Sequence, residues 1–168
     1  MSYPGLFHRD GDRCVTQLRT SEVAILRRVF TEVAGLVSEV RGEDPVIQRL
    51  FPSPYPDDEH EASEYRRLTE EDLRTDKAHQ VGVLLACLPD RTGEVRLDAE
   101  QAEAWLRALT DARLAIGIQV EITDDTDLSG EIDEAAMRDP TGVRAMRLSV
   151  YGYLTYMQES LVEALGGG

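Results

Sequence analysis

The stretch that decides the fold is residues 98–120, which read DAEQAEAWLRALTDARLAIGIQV. Its apolar side chains recur at steps of three or four positions, the spacing of one face of an α-helix. They are Ala102, Trp105, Leu109, Ala112, Ile116 and Val120. Asp98 precedes the first turn and suits the N-cap, because its carboxylate can accept hydrogen bonds from free amides there. The stretch therefore predicts a core helix over 99–120.

A second apolar stripe, between Pro140 and Leu165, predicts the helix that packs against the first. Its members again follow at steps of 3 or 4. They are Val143, Met146, Val150, Tyr153, Met157 and Leu161. We expect the helices over 99–120 and 141–165 to form the central packing of the domain.

Three further helices are predicted upstream. Apolar spacing after Thr20, a suitable N-cap, predicts a helix that ends near Gly42. Residues 69–72, Thr-Glu-Glu-Asp, have the spacing of a capping box and predict the start of a helix that stops at Pro89. Residues 59–68 then form a separate, more acidic helix.

The N-terminal residues predict a β-hairpin, with strands over 6–9 and 13–18 around a turn that contains Gly11. Residues 121–139 hold few apolar side chains and predict a solvated acidic loop. The predicted fold class is mainly α, a single-domain helical bundle with a small N-terminal β-hairpin. Its parts are the hairpin over 1–19, a helical body over 20–165 and a flexible tail over 166–168.

Length and charge narrow the functional classes. A chain of 168 residues suits one domain, and its 32 acidic and 18 basic residues give a net charge of −14. So negative a surface repels phosphate backbones and anionic lipid, and we expect no direct nucleic-acid binding. No apolar run approaches the roughly 20 residues of a membrane helix, and residues 1–5 lack the features of a signal peptide. We expect a cytoplasmic protein without membrane association.

No motif points to catalysis. The sequence lacks a nucleophile elbow, a phosphate-binding loop and a Cys-x-x-Cys pair, and none of its three histidines has a second His at i+4. Residues 125–133 resemble a calcium loop, but Ala136 stands where that loop needs a bidentate carboxylate. We therefore expect no enzyme activity, no cofactor and no metal site, and interpret 121–139 as an acidic loop.

Six side chains are the candidate functional residues. Cys14, in the second strand, and Cys87, in the apolar run 81–88, are redox candidates. The alternative is that each is a small buried hydrophobic residue, which free cysteine most often is. The partner or dimer contact candidates lie on the last helix: Tyr151, Tyr153, Tyr156 and Met157. Their apolar face suits either an interface or the core, because periodicity does not say what the face packs against.

Three blocks of sequence, taken in order, resemble one actinobacterial family. They are EASEYRRLTE at 61–70, AWLRALTDARLA at 104–115 and YGYLTYMQESL at 151–161. Together with the Asp10-Gly11 turn before the first helix, they make the chain similar to the AosR-like family, formerly a domain of unknown function. The similarity runs over nearly the whole chain.

The resemblance implies a regulator of the oxidative-stress response that works with an alternative sigma factor and RNA polymerase on sulfur-assimilation genes. That family's proposed sensor is a disulfide between two cysteines close together in sequence. Here Cys14 and Cys87 are far apart, so that sensor is not carried over. We expect a non-enzymatic regulatory protein with protein partners, either a sigma factor or RNA polymerase by resemblance, and with homodimerisation open. The alternative is a redox-independent adaptor that binds another protein through 121–139 and the last helix.

Overall fold

Six helices and three strands make up the described part of the computed structural model, which covers residues 6–38, 45–50, 59–123 and 125–167, without the side chains of 47, 48 and 59–70. The helices are α1 (Thr20–Ser38), α2 (Pro45–Leu50), α3 (Glu59–Cys87), α4 (Ala99–Gln119), α5 (Leu128–Arg138) and α6 (Val143–Gly166). The strands are β1 (His8–Asp10), β2 (Arg13–Leu18) and β3 (Gly93–Leu97). The predicted class, mainly α with a small N-terminal β element, is confirmed.

The predicted hairpin forms, with a third strand added to it. Asp10 pairs with Arg13, which leaves a two-residue turn at Gly11 and Asp12. Gly11 has a φ of 65°, a left-handed conformation that glycine adopts without steric cost. β3 pairs antiparallel with β2, so the predicted helical body over 20–165 contains one strand, Gly93–Leu97, that the sequence analysis did not predict. Only two alternating apolar residues of β3 face the core, too few to stand out in the sequence.

The centre of the molecule is α4, which contacts α1, α2, α3 and α6. Its start is capped as predicted: Asp98 Oδ1 accepts from the Gln101 amide at 2.8 Å, and Gln101 Oε1 accepts from the Asp98 amide at 2.9 Å. Trp105 and Leu109 of α4 are fully buried, as is Leu148 of α6. The predicted central packing of these two helices is confirmed.

α3 is one continuous helix of 29 residues. The predicted capping box at 69–72 lies inside it, and the predicted separate helix over 59–68 is its first third, so both predictions are wrong. Residues 59–81 contain no Pro or Gly and are rich in Glu, Arg and Ala, which favour helix throughout. A local four-residue signal does not interrupt such a segment. The predicted end of the first helix near Gly42 lies outside the described residues.

The predicted acidic loop over 121–139 is wrong over 128–138, where the chain forms α5. Asp127 caps this helix by accepting a hydrogen bond from the Gly130 amide at 3.2 Å. Leu128, Ile132 and Ala135 form its inner face and pack on the core. Three apolar side chains at helical spacing therefore suffice to dock a short helix on α6. At the predicted tail, Gly166 is helical and the Gly167 amide donates to Glu163 O at 2.8 Å.

Candidate functional site

Large hydrophobic side chains are exposed at the corner where α5 leads into α6. Met137 is 86% exposed, Val143 63% and Met146 52%. Val143 and Met146 are three positions apart and lie on the same side of α6. We call these three residues, which are grouped by their exposure and by their position at this corner, the α5–α6 apolar patch. The other large hydrophobic side chains that are exposed in the described ranges are spread over α1, α3, α4 and the second half of α6.

A groove of about 410 Å³ lies beside the patch, between α5 and the start of α6. Its apolar lining residues are Ala135, Val143 and Ala145, and its charged lining residues are Glu131, Glu134, Arg138, Asp139 and Arg144. Both arginines are matched by carboxylates. Arg138 pairs with Glu134 at 2.9 Å, and Arg144 pairs with Glu131 at 3.0 Å.

The rim of the groove keeps an excess of negative charge. Asp139, which lines the groove, and Asp133, one turn before Met137 on α5, form no ion pair with the basic side chains of the described residues. Residues 121–139 carry eight acidic side chains and a single basic one, Arg138. An apolar patch with a negative rim is typical of a surface that receives a basic, partly apolar partner.

The four predicted contact residues of the last helix occupy different environments. Met157 is fully buried, so for this residue the alternative of packing in the core applies rather than an interface. Tyr151 and Tyr153 are half-buried, and Tyr156 is 54% exposed. Of the four, Tyr156 alone offers most of its side chain to a partner, and it lies beyond the α5–α6 apolar patch along α6.

Tyr153 is held in place by Glu22 in the first turn of α1, a residue that the sequence analysis did not select. Tyr153 Oη donates to Glu22 Oε2 at 2.8 Å. Glu22 Oε1 accepts from the backbone amide of Arg19 at 3.0 Å and from Arg19 Nε at 3.2 Å. Arg19 immediately precedes α1, and Thr20, the predicted cap, is already the first residue of the helix. Both oxygens of this buried carboxylate are used, which ties the start of α1 to α6.

The two thiols lie on separate elements and are both free. Cys14 is buried in β2 opposite Leu97, and burial raises the pKa of its thiol, while the positive charge of Arg9 lowers it. Cys87 is the last residue of α3, and burial raises the pKa of its thiol as well. The Trp105 indole lowers the pKa of Cys87 and the charge of Asp98 raises it further. Because the thiolate is the reactive form, both environments disfavour reaction with peroxide.

A buried ion pair between α3 and α4 has no counterpart among the predicted residues. Lys77, the only lysine of the chain, places its Nζ 2.7 Å from Asp111 Oδ1. Their side chains are 15% and 5% exposed, and Asp111 Oδ2 is buried without a hydrogen-bond donor among the described residues. The sequence signal for this ion pair is the position of Asp111, an acidic residue directly before Ala112 among the apolar residues of α4. The pair joins two helices and is structural in character.

The calcium-like stretch is the start of a helix. Glu131 and Asp133 lie within α5, and the Asp127 carboxylate caps it. Across the part of the chain that the structure describes, no three His, Cys, Asp or Glu side chains come close enough to share a metal ion. None of the helices described there combines the length and the hydropathy needed to cross a membrane.

The fold and the surface together define a mainly helical single domain whose exposed corner carries an apolar patch with an acidic rim. A family described as a domain of unknown function, DUF2017, matches residues 4–165, and the chain belongs to this family. No solved structure matches the chain.

Relatives with curated names are similar over nearly the whole chain. The "Putative oxidative stress regulator AosR" of Mycobacterium leprae is 29% identical over 206 residues, which cover 97% of this chain and 91% of that protein. The "Oxidative stress regulator AosR" of Mycobacterium tuberculosis is 29% identical over 195 residues, covering 95% and 85%. The predicted resemblance to the AosR-like family is confirmed. Both alignments exceed the 168 residues of this chain, so the relatives carry insertions that it lacks.

Proposed function

We propose that this protein is a non-enzymatic, cytoplasmic regulator in the oxidative-stress response, and that it acts by binding another protein. The observation that carries the proposal is the similarity, over at least 95% of this chain, to two mycobacterial proteins named as oxidative stress regulators. The similarity also covers 91% and 85% of those proteins, so it is not confined to a shared module.

The surface that we assign to this role is the α5–α6 apolar patch. Covering exposed apolar area with a partner is favourable by about 25 cal/mol for each Å² removed from water. Met137 and Met146 have flexible, polarisable side chains that adapt to the shape of a partner. The carboxylates of Asp133 and Asp139, which have no ion-pair partner in the described ranges, favour a basic segment and attract it from a distance.

The partner that we propose is a component of the transcription machinery, a sigma factor or a subunit of RNA polymerase. Family resemblance supports this choice. The charge of −14 supports contact with a protein rather than with the DNA, because phosphates repel such a surface. A second copy of the chain fits the patch less well, since two acidic rims would face each other in a two-fold contact.

The protein's own thiols are not the sensor in this proposal. Burial raises the pKa of Cys14 and of Cys87, which leaves both as protonated thiols at neutral pH. Oxidation of these two residues as the regulatory input therefore has little support, and the stress signal enters through the partner or through a ligand.

Co-purification from peroxide-stressed cells tests the proposal. Wild-type protein and the double variant Met137→Glu, Met146→Glu are tagged and compared. Both replaced side chains are exposed, so the variant keeps the fold, which circular dichroism checks. We expect a sigma factor or a polymerase subunit with the wild type and a loss of at least tenfold with the variant. Recovery of neither component with the wild type contradicts the proposal.

A structural adaptor that uses the same corner is the second candidate, and the acidic helix α5 beside the patch favours it. The two candidates differ in the consequence of binding. A regulator whose patch is disrupted changes the transcripts that respond to peroxide, whereas an adaptor changes only the assembly of its complex. Comparing stress-induced transcripts between wild-type cells and cells that carry the patch variant separates them.

A further inference from the structure

A small pocket between α2, α4 and α6 has the opposite charge to the rest of the molecule. Its volume is about 220 Å³, and its described lining includes two arginines and no carboxylate. The lining residues that matter here are Arg49, Thr110, Arg113, Ile118, Ile122 and Tyr151. In a chain with 32 acidic side chains, a described lining that holds two arginines and no carboxylate is unusual.

Arg113 is held in the pocket by neutral groups. Its Nη1 donates a hydrogen bond to Gln158 Oε1, and its guanidinium carbon lies 5.3 Å from the centroid of the Tyr151 ring. Its Nε is buried and has no hydrogen-bond acceptor among the described residues. Partly buried charges in proteins are usually paired with an opposite charge. The charge of Arg113 is therefore available to an anion from outside the protein.

The orientation of Gln158 is itself fixed. Its Nε2 donates to Thr110 Oγ1 at 2.6 Å and to Leu106 O at 3.3 Å. These two acceptors hold the amide so that its oxygen faces Arg113. The guanidinium is thus positioned before any ligand arrives, which lowers the entropic cost of binding.

Arg49 brings a second cation to the pocket from α2. It is exposed, and it forms no ion pair or hydrogen bond with the described residues. Two guanidinium groups on separate helices can meet one oxyanion from two sides. Arginine suits this role because its planar fork of N–H donors matches carboxylate and phosphate oxygens.

The end of α4 shapes the remaining wall. Glu121 adopts a φ of 59°, and the Ile122 amide donates to Gly117 O at 2.8 Å, the pattern of a Schellman motif. This turn lays Ile122 over Gly117. A Cβ at position 117 would make ordinary van der Waals contact with the Tyr151 ring, at 3.5 Å, so the glycine leaves only the space of one methyl group free there. The wall is apolar, and the volume leaves room for only a small ligand.

We propose that this pocket binds a small oxyanion, with Arg113 and Arg49 as the residues that hold it. The chemistry is shared by a phosphate group and by the carboxylate of a small acid. The proposal does not depend on the protein partner, and it adds a ligand-binding site to the domain.

Thermal unfolding of the full chain in increasing phosphate tests the proposal. Ionic strength is held constant with sodium chloride, and a parallel titration uses acetate. A ligand that binds the native state raises the Tm in a saturable way, because it stabilises that state by RT ln(1 + [L]/Kd). We expect a saturable rise with at least one of the two anions and none with chloride. The stronger response identifies the source of the oxyanion.

Three variants make the test specific. Arg49→Gln removes an exposed side chain and should weaken the affinity at least tenfold, and Arg113→Gln should abolish binding. Arg147→Gln, an exposed arginine of α6 outside the pocket, is the matched control and should bind as the wild type does. If Arg113→Gln fails to fold, the anion response of Arg49→Gln alone tests the proposal. The proposal is overturned if neither anion shifts the wild type, or if Arg49→Gln and Arg147→Gln respond equally.

Discussion

The α5–α6 corner and the pocket between α2, α4 and α6 use arginine in opposite ways. At the corner, Arg138 and Arg144 are each paired with a glutamate, and the rim holds further carboxylates without an ion-pair partner in the described ranges. In the pocket, Arg113 is supported by an amide and an aromatic ring, and the described lining holds no carboxylate. The corner thus offers negative charge and apolar area, whereas the pocket offers positive charge. One domain of net charge −14 has two surfaces suited to ligands of opposite sign.

The largest expected effect on stability is at the buried ion pair Lys77–Asp111, because its two charges bind each other and no ligand. Lys77→Met should destabilise the fold by about 3–5 kcal/mol, since it leaves the Asp111 carboxylate buried and unpaired. Chemical denaturation measures this loss. The double variant Lys77→Met, Asp111→Leu is the control and should recover most of the stability. A loss of stability near zero for Lys77→Met would contradict this account, because it would show that the pair contributes no more than an exposed ion pair does.

Tyr153 and Glu22 provide the next largest effect, and it depends on pH. Tyr153→Phe removes a hydrogen bond to a buried carboxylate and should cost about 1.5–3 kcal/mol at neutral pH. Burial, together with the hydrogen bond to Glu22 and its charge, raises the pKa of Tyr153 in the folded state. Its contribution to stability is therefore complete below the unfolded pKa of about 10 and declines as the pH rises above it.

Denaturation of both proteins between neutral and strongly alkaline pH measures this dependence. The difference in the free energy of unfolding between wild type and Tyr153→Phe should stay constant up to about pH 10 and then shrink. A difference that grows with pH would mean that the folded environment favours the phenolate.

Replacing Glu121, in the turn that forms the wall of the pocket, should change the stability of the fold by a smaller amount. It is a non-glycine residue at a φ of 59°, and its negative charge stands at the C-terminus of α4, where the helix dipole is also negative. Glu121→Gly should stabilise the fold by about 1 kcal/mol through relief of strain and of charge repulsion. Glu121→Ala, which relieves only the repulsion, should gain less. Equal values for the two variants would show that the conformation carries no cost.

The smallest expected effect is that of peroxide on the two thiols, for which we expect no oxidation. Because burial raises the pKa of both cysteines, mild peroxide should leave Cys14 and Cys87 reduced in the folded protein. Peptide-mapped mass spectrometry with a reducing control measures this, and protein unfolded in denaturant shows the reactivity of free thiols. A reversible disulfide between Cys14 and Cys87 within one chain would reinstate the redox input.

Much of the fold could be predicted from local patterns. The stripes on α4 and α6 are long and regular, and Asp98 has the residue type and the position that a helix cap needs. β3 and α5 could not be found in this way, because each buries only two or three apolar side chains. Their stability comes from the neighbours on which they pack, β2 and α6, and that is a property of the tertiary structure.

Less of the candidate site could be predicted. Stripe periodicity placed Met157 on an apolar face but did not reveal that this face is wholly covered. The arginines of the pocket, Arg49 and Arg113, come from helices far apart in sequence, and 17 arginines in the chain give no reason to select these two. They are distinguished by the lack of a carboxylate among the described residues around them, which is a property of the assembled pocket.

Separate disruption of the two surfaces tests the central claim most directly. The wild type, the variant Met137→Glu, Met146→Glu and the variant Arg49→Gln are compared for partner recovery from stressed cells and for the Tm shift in phosphate and in acetate. We predict that the patch variant loses the partner and keeps the anion response, and that Arg49→Gln does the reverse. Loss of both properties in either variant, or of neither in both, would contradict the assignment of two surfaces with opposite ligands.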